Sequence, residues 1–120
     1  MIRALVLILA AGLSVGAKRD PLAGRIAGEP RDCLSLSRNT SPAIVDERTI
    51  LYRESGRRIW RTGPVSACPS LRPNTILIVE VFGAHQICRN DRFRTLLPST
   101  TIPSGYCRFT QFTPYDRPTR

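Results

Sequence analysis

Catalysis needs groups that titrate, attack or ligate, and this chain holds few of them. Its only histidine is His85, in Gly83-Ala84-His85-Gln86. As a general base His85 would need a nucleophile within reach and a carboxylate to orient it, and its sequence neighbours supply neither. Asp46 and Asp91 stand where strands are expected to start, the ordinary position for a carboxylate that holds a turn through backbone N–H groups. With Glu54 and Glu80 they are the candidates for a hydrolytic pair, but nothing in their spacing argues for two carboxylates held across a cleft. The sequence has no glycine-rich phosphate loop, nucleophile elbow or metal-binding histidine pair. Cys33, Cys68, Cys88 and Cys107 lie far apart, without the two-residue spacing of a zinc knuckle or redox motif. Enzyme is the minority reading, and neither cofactor nor metal is expected.

Charge says more. Lysine and arginine total 18 against 9 acidic residues, for a net charge of +9, and nearly all of the basic residues are arginine. Arg53, Arg57, Arg58 and Arg61 accompany Tyr52 and Trp60, and a second group, Arg89, Arg92 and Arg94, brackets Phe93. A guanidinium binds phosphate or carboxylate through two parallel hydrogen bonds. Basic residues interleaved with aromatics suit a polyanion: lipopolysaccharide phosphates, anionic lipid or nucleic acid. The expected anion site is therefore Arg53, Arg57, Arg58 and Arg61. The bland alternative is a solubilising, arginine-rich surface with no specific site.

These side chains must be positioned by short strands. Ala43–Val45 and Thr49–Arg53 flank the turn at Asp46, and Glu54-Ser55-Gly56 leads into Arg57–Arg61 as a hairpin. A two-residue turn at Ser55-Gly56 sets Trp60 opposite Leu51, and a three-residue loop at Glu54-Ser55-Gly56 sets it opposite Ile50. In both registers Trp60 reads as core. Ile76–Phe82 is β-branched and nearly continuous, which predicts a central strand or one buried on both faces. Cys107–Phe112 alternates as a half-exposed closing strand. Apolar residues do not recur at helical spacing beyond two turns, and ten prolines interrupt most helical windows. The fold class expected is all-β, a small single-domain barrel or sandwich stapled by disulfides. Its longest loops would be Pro69–Asn74 and Pro98–Gly105.

Residues 1–17 carry a basic start, an apolar core and a small-residue exit, the three parts of a secretory signal helix. Residues 18–31 then read as a flexible leader, 32–115 as the β domain and 116–120 as a disordered tail. Export makes the cysteines two disulfides. Three connectivities are open. The nested one is the expectation, with Cys68–Cys88 flanking a single apolar strand and Cys33–Cys107 joining the ends of the domain. No transmembrane anchor is expected after signal cleavage, and the destination is the periplasm or the exterior.

The landmarks run in a definite order: Cys33, Asp46 to Ile50, Trp60, Cys68-Pro69-Ser70-Leu71, Cys88 to Asp91, then Gly105-Tyr106-Cys107 and Phe112. This order resembles a family of small exported proteins of unknown function from Gram-negative bacteria, over residues 33–112. The chain departs from the family pattern at Thr62-Gly63-Pro64 and at Thr110. The resemblance implies an exported, disulfide-bearing β domain and carries no activity. Three functions remain in view: a non-enzymatic exported binding or structural domain, an envelope polyanion binder, and an inhibitor or accessory subunit of another exported protein presenting Pro98–Tyr106.

Overall fold

A computed structural model describes residues 20–37, 40–81 and 85–119; the signal segment, residues 1–17, lies outside them. Ten strands follow in chain order: β1 (Ile26–Ala27), β2 (Cys33–Ser35), β3 (Ser41–Asp46), β4 (Thr49–Arg53), β5 (Arg58–Thr62), β6 (Ile76–Val79), β7 (Gln86–Cys88), β8 (Arg92–Leu96), β9 (Cys107–Arg108) and β10 (Thr113–Asp116). All pair antiparallel, in a five-stranded sheet of order β1-β10-β5-β4-β3, a three-stranded sheet β6-β8-β9 and the pair β2-β7. The protein is all-β, with no helix among the described residues. Among those residues, no helix is long and apolar enough to cross a membrane.

Local chemistry explains the turns. The Oδ1 atom of Asp46 accepts the Arg48 N–H at 2.8 Å, closing an Asx turn between β3 and β4. The Asp91 Oδ2 accepts the Cys88 N–H at 2.7 Å and holds the turn from β7 into β8. Gly63 lets the end of β5 pass the Asp46 turn, because a Cβ there would overlap the Arg48 carbonyl oxygen. Thr62-Gly63 and Thr110 meet here: the Thr110 N–H donates to the Gly63 carbonyl at 2.9 Å, and the Thr62 hydroxyl donates to the Thr110 carbonyl at 3.3 Å.

The core draws on all three sheets. Ile50, Tyr52 and Trp60 from the large sheet meet Leu34 and Ile87 of β2-β7 and Phe93 of β8, with Cys68, Leu71, Phe109 and Phe112 between them. Phe93 and Phe109 have ring centroids 4.5 Å apart, and Phe109 and Phe112 5.7 Å. Each such side chain contributes about 1.5–3 kcal/mol when fully buried.

Four expectations are corrected. The disulfides are Cys33–Cys88 and Cys68–Cys107, interleaved and not nested. Cys33 and Cys88 are register partners of β2 and β7. The Arg89 N–H to Asp32 carbonyl bond beside them marks a non-hydrogen-bonded pair, where facing side chains are closest. The long apolar run is neither central nor doubly buried. Of its described residues, 76–81, only Ile76–Val79 form a strand, which lies at the margin of its sheet, and Ile76 is 52 % exposed. The closing strand is β10, because Phe109 and Phe112 leave the ladder for the core and make only isolated bridges, to Pro64 and Arg31. Finally, residues 26–31 are no free leader and Asp116 no free tail. Ile26–Ala27 pairs with Tyr115–Asp116, and Gly28 and Arg31 donate to the carbonyls of Pro114 and Phe112.

Candidate anion-binding surface

The hairpin arginines are distributed by their register. Tyr52 faces Trp60 and Arg53 faces Ile59, so the loop is Ser55-Gly56-Arg57 and neither expected register is adopted. Ser55 is the cause: its Oγ accepts the N–H groups of Arg57 at 3.2 Å and Arg58 at 3.3 Å, drawing Arg57 into the turn. Trp60 is buried in the core, 3 % exposed. Strand alternation sends Arg53 and Arg61 to the opposite face, with Leu51 and Ile59, and Arg58 to the Trp60 face.

Arg58 is committed internally. Its Nε and Nη2 donate to the two carboxylate oxygens of Asp116 at 2.7 and 2.8 Å, and its guanidinium lies over Trp60 at 5.4 Å. Hydrogen bonding to Arg58 holds the Asp116 carboxyl below its ordinary range, and the same bond raises Arg58. Arg25, unremarked in the sequence, donates to the carbonyls of Gly56 and Arg57 at 3.2 and 2.8 Å, tying the N-terminal segment to the hairpin tip. Desolvation first, then Arg117 and Arg53, lowers its guanidinium. A cleft of about 600 Å³ opens beside this region, bordered by Ala27, Glu54, Arg57, Asp116 and Arg117. The four expected arginines therefore do not converge on one face.

A different set does converge. Arg92 and Arg94 lie on the outer face of β8, and both guanidiniums stand over the Tyr106 ring, at 4.6 and 4.5 Å from its centroid. Arg108 of β9 is the register partner of Arg92. The Phe109 N–H to Asp91 carbonyl bond beside them makes this a non-hydrogen-bonded pair, which brings two like charges to closest approach. Glu80 gives the cluster its described carboxylate: it lies 3.5 Å from Arg92 Nη2 and accepts the Tyr106 hydroxyl at 3.2 Å. The buried Arg94 Nε has no hydrogen-bond partner among the described residues, so ring stacking is what holds this guanidinium. Two guanidiniums therefore stack on a ring that is 47 % exposed, a third belongs to the facing residue Arg108, and Glu80 is the carboxylate that meets this group among the described residues.

Spacing along the chain singles out Arg92 and Arg94 but not Arg108, Tyr106 or Glu80. Arg89, the third member of that group, contributes its N–H to the Asp32 carbonyl at the start of β2-β7. The signal that could have found the rest is Tyr106, an aromatic separated from Arg108 only by Cys107. His85 is exposed, in the left-handed region at φ 50°, and its carbonyl accepts the Leu36 N–H at 2.7 Å. Asp46 and Asp91 hold turns, and Glu54 lies on Trp60 Nε1 at 3.3 Å. No group of His, Cys, Asp and Glu among the described residues is arranged to hold a metal.

Fold and surface together define a small, disulfide-stapled all-β domain with an arginine-rich aromatic face. Its two disulfides are consistent with an oxidising, exported compartment. Neither the protein-family models, nor the curated proteins, nor the solved structures include a match to the chain.

Proposed function

We propose that this is an exported, non-enzymatic binding domain of the cell envelope, periplasmic in location, and that its ligand is a polyanion held by Arg92, Arg94 and Arg108 around Tyr106. The observation that carries the reading is the Arg92–Arg108 pair. Like charges at facing strand positions cost stability, and this pair lies on an exposed surface where, among the described residues, Glu80 meets Arg92 and Arg108 has no carboxylate within ion-pair distance. A phosphate- or sulfate-bearing polymer relieves that repulsion while accepting bidentate hydrogen bonds. Resemblance to small exported Gram-negative proteins over residues 33–112 supports the same compartment.

The test compares salt elution of the exported protein from heparin and from a plain sulfonate exchanger. An organised site elutes distinctly later from heparin, and Arg92→Ser with Arg108→Ser removes that difference while Arg53→Ser with Arg61→Ser leaves it. The salt dependence of binding becomes shallower by roughly one unit of log–log slope for each phosphate the variant no longer neutralises. Equal elution of the unaltered protein from the two resins refutes the reading.

A further inference from the structure

The cationic face has an apolar half that a soluble polyanion leaves uncovered. Strand alternation places Ile76, Ile78 and Glu80 on the same outer face as Arg92, Arg94 and Leu96. The register sets Ile76 opposite Leu96, Ile78 opposite Arg94 and Arg92 opposite Arg108. The face is therefore graded: aliphatic at the Ile76–Leu96 end, mixed in the middle, cationic at the Arg92–Arg108 end. Ile76 is 52 % exposed, and Ile78 and Leu96 are half-buried on that face.

From this gradient we infer that the occupant is an anionic lipid surface: phosphate headgroups at Arg92, Arg94 and Arg108, and acyl chains against Ile76, Ile78 and Leu96. The inference rests on the polyanion reading and narrows its ligand class. Charge complementarity requires the anion, and the aliphatic end separates a lipid from heparin or nucleic acid, which would neutralise the arginines and leave Ile76 in water. Tyr106, exposed between the guanidiniums with its hydroxyl on Glu80, has the amphipathic character of residues at a membrane–water interface. Surface-lying proteins combine buried apolar area with electrostatic attraction in this way.

The experiment is co-sedimentation of the protein recovered from the exported fraction with two vesicle types, phosphatidylcholine alone and phosphatidylcholine mixed with phosphatidylglycerol. Heparin elution is run in parallel, and thermal melts confirm that each variant is folded. The unaltered protein sediments with the anionic vesicles only. Arg92→Ser with Arg108→Ser weakens that binding about thirty-fold, the effect of two surface arginines, and also removes the heparin delay. Ile76→Ser with Leu96→Ser weakens vesicle binding at least about tenfold and leaves heparin elution unchanged. Vesicle binding unaffected by the Ile76 and Leu96 substitutions overturns the lipid assignment. So does late heparin elution without any sedimentation; in both cases the polyanion reading stands. A heparin delay that survives the arginine substitutions overturns both.

Discussion

Trp60 and Tyr106 each carry two guanidiniums, Arg31 and Arg58 on one ring and Arg92 and Arg94 on the other. Around Trp60 the ring is core, and Arg58 closes on Asp116 through two hydrogen bonds. Around Tyr106 the ring is exposed, and Arg92 faces Arg108. Arg58–Asp116 and Arg92–Arg108 are both cross-strand register partners. Each is flanked by the hydrogen bond that marks a non-hydrogen-bonded position, Arg117 N–H to the Arg57 carbonyl in one and Phe109 N–H to the Asp91 carbonyl in the other. The backbone geometry is the same and the facing residue differs. An acid there engages Arg58 directly; where a second arginine stands, Arg92 turns to Glu80 and the Tyr106 ring instead.

The sharpest way to break the comparison is through the disulfides. Cys107 sits between Tyr106 and Arg108, so replacing Cys68 and Cys107 by serine releases β9 as well as costing about 2–4 kcal/mol. Urea denaturation is expected to show that loss, and the heparin delay is expected to vanish with it. Replacing Cys33 and Cys88 costs a similar amount, but the protein that remains folded keeps its delay.

Tyr106→Leu comes next. Losing an exposed cation–π platform costs about 0.5–1 kcal/mol per guanidinium, and the effect should appear in polyanion affinity more than in melting temperature. A variant that binds like the unaltered protein would show that Tyr106 does not hold the arginines in place.

On the closed side, Asp116→Asn is expected to lower stability by less than about 1 kcal/mol, since the pair is only partly buried and is screened by salt. The Asp116 carboxyl is depressed in the folded state by its bonds to Arg58. Its contribution is therefore complete above the unfolded aspartate value, about 3.9, and is lost as pH falls through the lower folded value. Melts from neutral to acid pH should show the unaltered protein and the variant converging at the acid end.

The smallest effect has the opposite sign. Arg108→Thr removes the like-charge facing pair and is expected to raise stability by about 0.2–1 kcal/mol while weakening anion binding. Stability and binding falling together would mean that Arg108 is structural, and the contrast with Arg58 would collapse.

Much of the fold is legible in the sequence because it rests on local chemistry. Asp46 and Asp91 have the type and position of turn carboxylates, and each accepts a backbone N–H. The β3–β4 and β4–β5 strands follow the short apolar runs between those turns. Trp60, an aromatic among aliphatics on a strand, is buried as its neighbours imply. Register is harder, because Ser55 takes Arg57 into the loop through side-chain hydrogen bonds that residue type alone does not reveal. The run Ile76–Phe82 misleads for a related reason: a continuous apolar stretch records affinity for burial, and whether a strand is flanked on one side or two depends on which other segments reach it. The candidate site is half visible. Arg92 and Arg94 stand out by spacing, while Arg108 and Tyr106 lie on another strand and its approach, and only pairing joins them.

What the sequence determined alone is set by residue type at short range: an all-β chain, its turns, its cysteine content and its excess of arginine. Those properties follow from backbone preference, β-branching, the side-chain oxygens of aspartate and formal charge, none of which needs a distant partner. Tertiary structure decided which cysteines meet, which strand lies at a sheet margin, and which arginines face an acid or another arginine. The physical reason is that facing positions on antiparallel strands are fixed by register. A slip of one residue turns every side chain to the opposite face, and register is settled jointly by turns and core packing along the whole chain.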